Sequence, residues 1–183
     1  MGEMSGAGTA PGGPADGTTG ALSFSDMGPV LAADPLANLG LVDRGTGLVG
    51  SLPREVRANG LPDDPEQARA AIVDGTDRAA RVEDWSETAG DSVATAARMR
   101  ELNAANELAV VFTTGNAADP PDPAHGLRHG QPYVAEMLSP DRPMIYVTDI
   151  RLTHRVTPMR AGEFADAIRP EVVVVGPPGS RAG

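Results

Sequence analysis

Cysteine and lysine are both missing from this chain, and aromatic residues make up only 3% of it. Without cysteine there is no disulfide framework, no thiolate nucleophile and no cysteine-based zinc site. Without lysine there is no Schiff-base amine, no phosphate-loop lysine and no lysine general base. All 15 basic residues are therefore arginine. Lysine codons are AT-rich, so this usage points to a GC-rich genome. With so few aromatics, the core has to be built from Val, Leu, Ile, Met and Ala.

Long apolar runs are absent too. Nothing approaches the roughly 18 residues of a membrane helix. The opening residues lack a basic stretch followed by an apolar segment, so no signal peptide is expected. The formal net charge is −10. An acidic surface repels phosphate backbones, so nucleic acid is not expected as a direct partner.

What remains is a chain of 183 residues, the size of one domain with appendages. Residues 1–28 are dominated by Gly, Ala, Pro, Ser and Thr and are read as a flexible N-terminal arm. Residues 29–62 read as a loop-rich connecting segment with one or two short strands. An α+β (or small α/β) domain is expected over 63–175, with helices first and a three- to four-stranded sheet after them. A short tail follows over 176–183.

Asp64-Pro65 is a helix start, with Asp64 as N-cap and Pro65 in the first helical position. Ala68, Ile72, Gly75, Ala79 and Val82 then recur at helical spacing. A second helix is predicted from Asp91 or Ser92 to Asn106. Leu108–Thr114 and Glu171–Val175 read as strands, Ala161–Ile168 as a short helix, and Tyr133–Leu138 is ambiguous. Pro143–Val156 is the longest strand predicted. Its second half alternates, with Ile150, Leu152, His154 and Val156 on one face and Arg151, Thr153 and Arg155 on the other. In that strand Asp149 and His154 fall on opposite faces and cannot pair.

Three motifs invite a nucleotide or phosphate reading. Gly45-Thr-Gly47-Leu-Val-Gly50 has the spacing of a dinucleotide loop. Such a loop needs a strand before it and a helix opening within it. Pro53 stands where that helix would run, so the triplet is expected in a turn. Gly176-Pro-Pro-Gly179 lacks the lysine and the following helix of a phosphate loop. Arg128-His129-Gly130 resembles the histidine-phosphatase motif over three residues only, without the buried first strand that precedes it in that superfamily.

The densest polar cluster is Asp119-Pro-Pro-Asp122-Pro-Ala-His125-Gly-Leu-Arg-His129. Asp119, Asp122, His125 and His129 are the residue types that could hold a divalent metal or form an active-site loop. Gly126 breaks any helical His-x3-His face, so no ligand geometry is specified. No catalytic set and no cofactor are expected.

The first functional expectation is a non-enzymatic structural subunit of a larger assembly, such as a head, connector or tail component of an actinobacterial phage virion. Its partners would be copies of itself and other assembly subunits. It would reside in the cytoplasm during assembly, or in the virion. Arg151 and Arg155, two cations on one strand face of an acidic chain, are the expected interface residues. The alternative is a small enzyme or effector domain that uses the 119–129 loop.

Overall fold

Val172-Val173-Val174-Val175 has no polar alternation, and a strand of that kind needs apolar cover on both faces. The computed structural model, which describes residues 44–139, 141–152 and 155–181, supplies it. Residues 1–43 lie outside the described residues. They include the whole expected arm and part of the connecting segment.

The elements run α1 (Arg44–Ser51), α2 (Arg54–Asn59), α3 (Pro65–Gly75), β1 (Ala80–Asp84), α4 (Ser92–Ala104), β2 (Leu108–Phe112), β3 (Pro132–Glu136), β4 (Met144–Asp149), β5 (Val156–Arg160), α5 (Ala161–Ala167) and β6 (Glu171–Val175). One six-stranded sheet has the order β1-β6-β2-β3-β4-β5, and every neighbouring pair is antiparallel. Val173 and Val175 join Leu108, Val110 and Phe112 under Leu48 and Val49 of α1 and Ile72 of α3. Val172 and Val174 join Ala109 and Val111 under Met99 and Leu102 of α4 and Phe164 of α5. The fold is α+β, with a helical layer on each face of the sheet.

The helix starts follow the sequence. The Asp64 carboxylate accepts the Gln67 N–H, and Asp91 accepts the N–H groups of Val93 and Ala94, so each satisfies donors that the first turn leaves unpaired.

Four sequence expectations are corrected. The sheet has six strands rather than three or four. The helix of Ile72 stops at Gly75, which lies against Pro53: a Cβ there would stand 2.5 Å from Pro53 Cδ. Beyond it, Ala80 and Val82 pack on the same core from β1, so the true period there is two, not three and four. The expected long strand 143–156 is a hairpin, β4 and β5. Asp149 breaks it, because its carboxylate accepts the Arg151 N–H at 2.8 Å and the Leu152 N–H at 3.3 Å, the local bonding by which Asp favours turns. Ile150 remains buried in the cluster that holds Ile72, whereas Leu152 is 40% exposed. Thr153 and His154 lie outside the described residues.

The fourth correction concerns the glycine triplet, which is helical. Helix α1 ends at Ser51, before Pro53, so the proline never enters its interior. Its first turn is held by Glu136, a buried carboxylate at the end of β3. Gly45 N–H donates to Glu136 Oε1 at 3.0 Å, and Arg44 Nε stands 3.4 Å from Glu136 Oε2. Arg44 also donates to Asn103 at 2.6 Å and Asn106 at 2.8 Å, joining α1 to the end of α4.

Replacing Glu136 by Ala removes the acceptor of a buried N–H, which costs about 1–3 kcal/mol. The urea midpoint should fall accordingly at constant slope. Glu136→Gln keeps an acceptor and should lose less.

Candidate functional site

Residues 113–131 leave β2 and return to β3, and nearly every turn within them is bonded locally. Thr113 Oγ1 donates to the Arg128 carbonyl at 2.6 Å and accepts the Gln131 N–H at 3.1 Å, which draws the two ends of the loop together. Tyr133 anchors the loop from below. Its hydroxyl accepts the Arg128 N–H at 2.8 Å, and burial pushes its pKa up. The Asp122 carboxylate accepts the N–H groups of Ala124 and His125 at 3.2 and 2.9 Å, a turn built by the aspartate itself.

The two loop histidines are held differently. His125 Nδ1 lies 2.9 Å from Asp122 Oδ2. A carboxylate only accepts, so Nδ1 carries the proton. His125 Nε2 then faces Glu163 Oε2 of α5 at 3.6 Å, just beyond hydrogen-bond reach. His129 Nδ1 donates to the Thr114 carbonyl at 2.8 Å. That approach depends on Gly115, which has φ +89° and has no room for a Cβ: one would come within 2.7 Å of His129 Nδ1.

Between this loop and α5 lies a cavity of about 310 Å³. Thr113, Thr114, Asp122, His125, His129, Glu163 and Asp166 line it, with Ala124, Leu127 and Ala167 as its apolar surface. Burial raises the Asp122 carboxyl, but bonds from the His125 ring and from the N–H groups of Ala124 and His125 outweigh it, so the group sits below the usual carboxylate range. Glu163 is fixed as well, accepting the Arg160 N–H at 2.9 Å in a capping box at the start of α5. Three carboxylates and two imidazoles thus share one small cavity. The chemistry available is binding of a cation and proton exchange at His125 Nε2.

Of the four candidate metal ligands, Asp122 and His125 are brought together and His129 lines the same cavity. Asp119 is apart, bonded into a turn with Asn116. Among the described residues no group of three or more His, Asp or Glu is arranged to hold a metal ion. Asp122 and His125 could contribute two ligands at most without movement of the loop.

Glu163 and Asp166 were not legible as partners of the loop, since they lie some forty residues further on. The one available signal was their spacing of three in a short helix, which puts both on one face.

Arg151 and Arg155 do not share a strand face. Both belong to the β4–β5 turn, and both turn back on the chain: Arg151 donates to the Gln131 side chain and Arg155 to the Gly126 carbonyl at 3.1 Å. They hold Gln131 and Gly126, two residues of the 113–131 loop.

The glycine triplet has no phosphate cradle. Gly47 and Gly50 have nothing within 4 Å of a notional Cβ, so no close backbone approach calls for glycine there. The start of the helix already faces the Glu136 carboxylate. Among the described residues, no helix is long and apolar enough to cross a membrane. No protein-family model matches the chain, and no curated protein matches it.

Because the folded Asp122 carboxyl is depressed, its stabilising effect is present above the ordinary value of about 3.9. It is lost as pH falls through the lower folded value. In thermal melts from pH 5 to pH 2, the gap between wild type and Asp122→Asn should therefore shrink towards acid. A gap that stays constant with pH counts against the ionic role of this group.

Proposed function

We propose that the chain is a small ligand-binding or effector domain whose 113–131 loop and α5 form a pocket for a small organic cation with a short apolar body. In this reading His125 Nε2 accepts a hydrogen bond from the ligand's N–H. The observation that carries it is the bracketing of His125, with Nδ1 on Asp122 and Nε2 towards Glu163, inside a cavity of about 310 Å³. Asp122 fixes the ring's tautomer and orientation, so Nε2 is the nitrogen offered to a bound group. Glu163 and Asp166 supply negative charge for an ammonium or guanidinium, and Leu127 and Ala167 supply apolar contact. Among the described residues the two hydroxyls that line the cavity are already engaged, Thr113 with the Arg128 carbonyl and Thr114 with the Ala167 carbonyl. Non-covalent binding is therefore favoured over a covalent mechanism.

The test is a nuclear magnetic resonance titration of the histidine rings with putrescine and agmatine. The chain has only 3 histidines, so assignment is direct. The His125 and His129 resonances should shift in fast exchange. Glu163→Gln preserves the capping bond and should weaken the apparent affinity about tenfold, as expected for loss of one charged contact of about 1.4 kcal/mol. Unmoved rings at millimolar amine would remove this reading.

The second reading is the structural subunit of a larger assembly, such as a phage virion component. It is favoured by an open apolar groove beside α4, where Val93 is 75% exposed. Single exposed apolar residues are common, but one that edges a groove suits a contact with another chain. Its partners would be copies of itself and other assembly subunits, in the cytoplasm during assembly or in the virion. Light scattering on the full chain decides this: a defined oligomer is expected if the reading holds, and a monomer at all concentrations counts against it.

A further inference from the structure

The two edges of the sheet, β1 and β5, are finished differently. At the β5 end the Asp149 N–H donates to the Arg155 carbonyl at 3.3 Å. By alternation Thr157 and Met159 bond β4, and Val156, Pro158 and Arg160 turn their backbone groups outward. Proline has no N–H to offer, and the Arg160 N–H is already given to Glu163 at 2.9 Å. Two of the three donors on that edge are closed, which is how a sheet resists adding a strand.

Strand β1 has no such device. The Gly176 N–H donates to the Ala79 carbonyl at 2.8 Å, and the Trp85 N–H donates to the Pro170 carbonyl at 2.7 Å. Both pairs continue the β1–β6 register, so the odd-numbered residues of β1 bond β6. Ala80, Val82 and Asp84 therefore direct their N–H and C=O groups outward. Among the described residues, no further strand meets them.

The sequence of β1 also complements itself. Three antiparallel registers pair its outward groups with those of an identical strand. Centred on Val82, the register sets Val82 against its own copy, Ala80 against Asp84, and Arg81 against Glu83. A shift one way sets Arg81 against Arg81, and a shift the other way sets Glu83 against Glu83. Like charges directly opposite are destabilising, so only the Val82 register is free of conflict. Arg81 and Glu83 keep their bonds to Glu107 and Arg98, and the register asks only that opposite charges face each other. Val82, which packs beside the core under α3, would meet its copy on the other face.

We propose that β1 pairs with β1 of a second copy about a twofold axis at Val82, joining two six-stranded sheets into one. This interface is independent of the cation pocket, which lies between the 113–131 loop and α5. One strand per copy buries less than a permanent interface does, so the dimer is reversible.

The absence of native cysteine makes the test direct. Val82→Cys, Ala80→Cys and Asp84→Cys are each introduced into the full chain, with circular dichroism to confirm the fold. In the proposed register the two copies of residue 82 have Cα atoms about 5.5 Å apart, within disulfide range. Two copies of residue 80, or of residue 84, lie four positions apart along the strands, about 14 Å, which no disulfide spans. In a glutathione buffer Val82→Cys should form a disulfide-linked dimer at least about tenfold faster than either other variant alone, the gain that a preformed pairing gives over chance encounter. Mixing Ala80→Cys with Asp84→Cys should restore fast cross-linking. Equal rates for all three single variants overturn the proposal, as does a Val82→Cys chain that stays monomeric, because the edge is then covered within the chain or left unpaired.

Discussion

A carboxylate taken out of water has to be met by donors, and Glu136 is the point at which this requirement organises the fold. It closes β3 at the rim of the sheet, where the strand runs out and the polar end of a helix becomes available. The positive end of α1 answers it, through the Gly45 N–H and the arginine that opens the helix. This single contact sets the position of α1 on one face of the sheet. Through the bonds of Arg44 to Asn103 and Asn106 it also reaches α4 on the other. The two helical layers are thus linked past the end of β3 by Arg44, which pairs with Glu136 and bonds Asn103 and Asn106, while Leu48 and Val49 supply apolar burial.

The same junction occupies the helix start that the dinucleotide-like motif would offer to a phosphate. A helix start attracts anions whatever their source. Here the anion belongs to the protein. The expectation of a turn at this triplet failed because Pro53 was taken to forbid a helix that ends two residues earlier, at Ser51.

Much of the fold was legible wherever one local rule acted alone. Asp64-Pro65 and Asp91 mark helix starts because their side chains bond the next turn, a matter of a few residues. The valine run of β6 was legible because two-sided burial leaves no alternation. Failure came where two rules met. Ala79 and Val82 kept a helical spacing by chance across the break at Gly75. The alternation of 150–156 was read straight through a turn that Asp149 builds from its own carboxylate. For the candidate site, Asp122 and His125 were legible because they are neighbours in sequence. Glu163 and Asp166 were not, because only the return of the chain through β3, β4 and β5 brings α5 under the loop. The spacing of three puts Glu163 and Asp166 on one helix face, but nothing local says which loop that face meets.

The strand order carries a kinetic consequence. Strand β6 lies between β1 and β2, so neither β1 nor the β2–β5 meander has its neighbour until Glu171–Val175 has left the ribosome. Until then β1 has no strand to pair with, and β2 presents an open edge of apolar residues. Closing that gap joins segments about ninety residues apart, and such non-local pairing makes folding slow. During synthesis the nascent chain exposes the kind of edge that recruits other strands. The arginine and glutamate of β1, which in the finished molecule form ion pairs with Glu107 and Arg98, would serve in that interval as charges that discourage misdirected pairing.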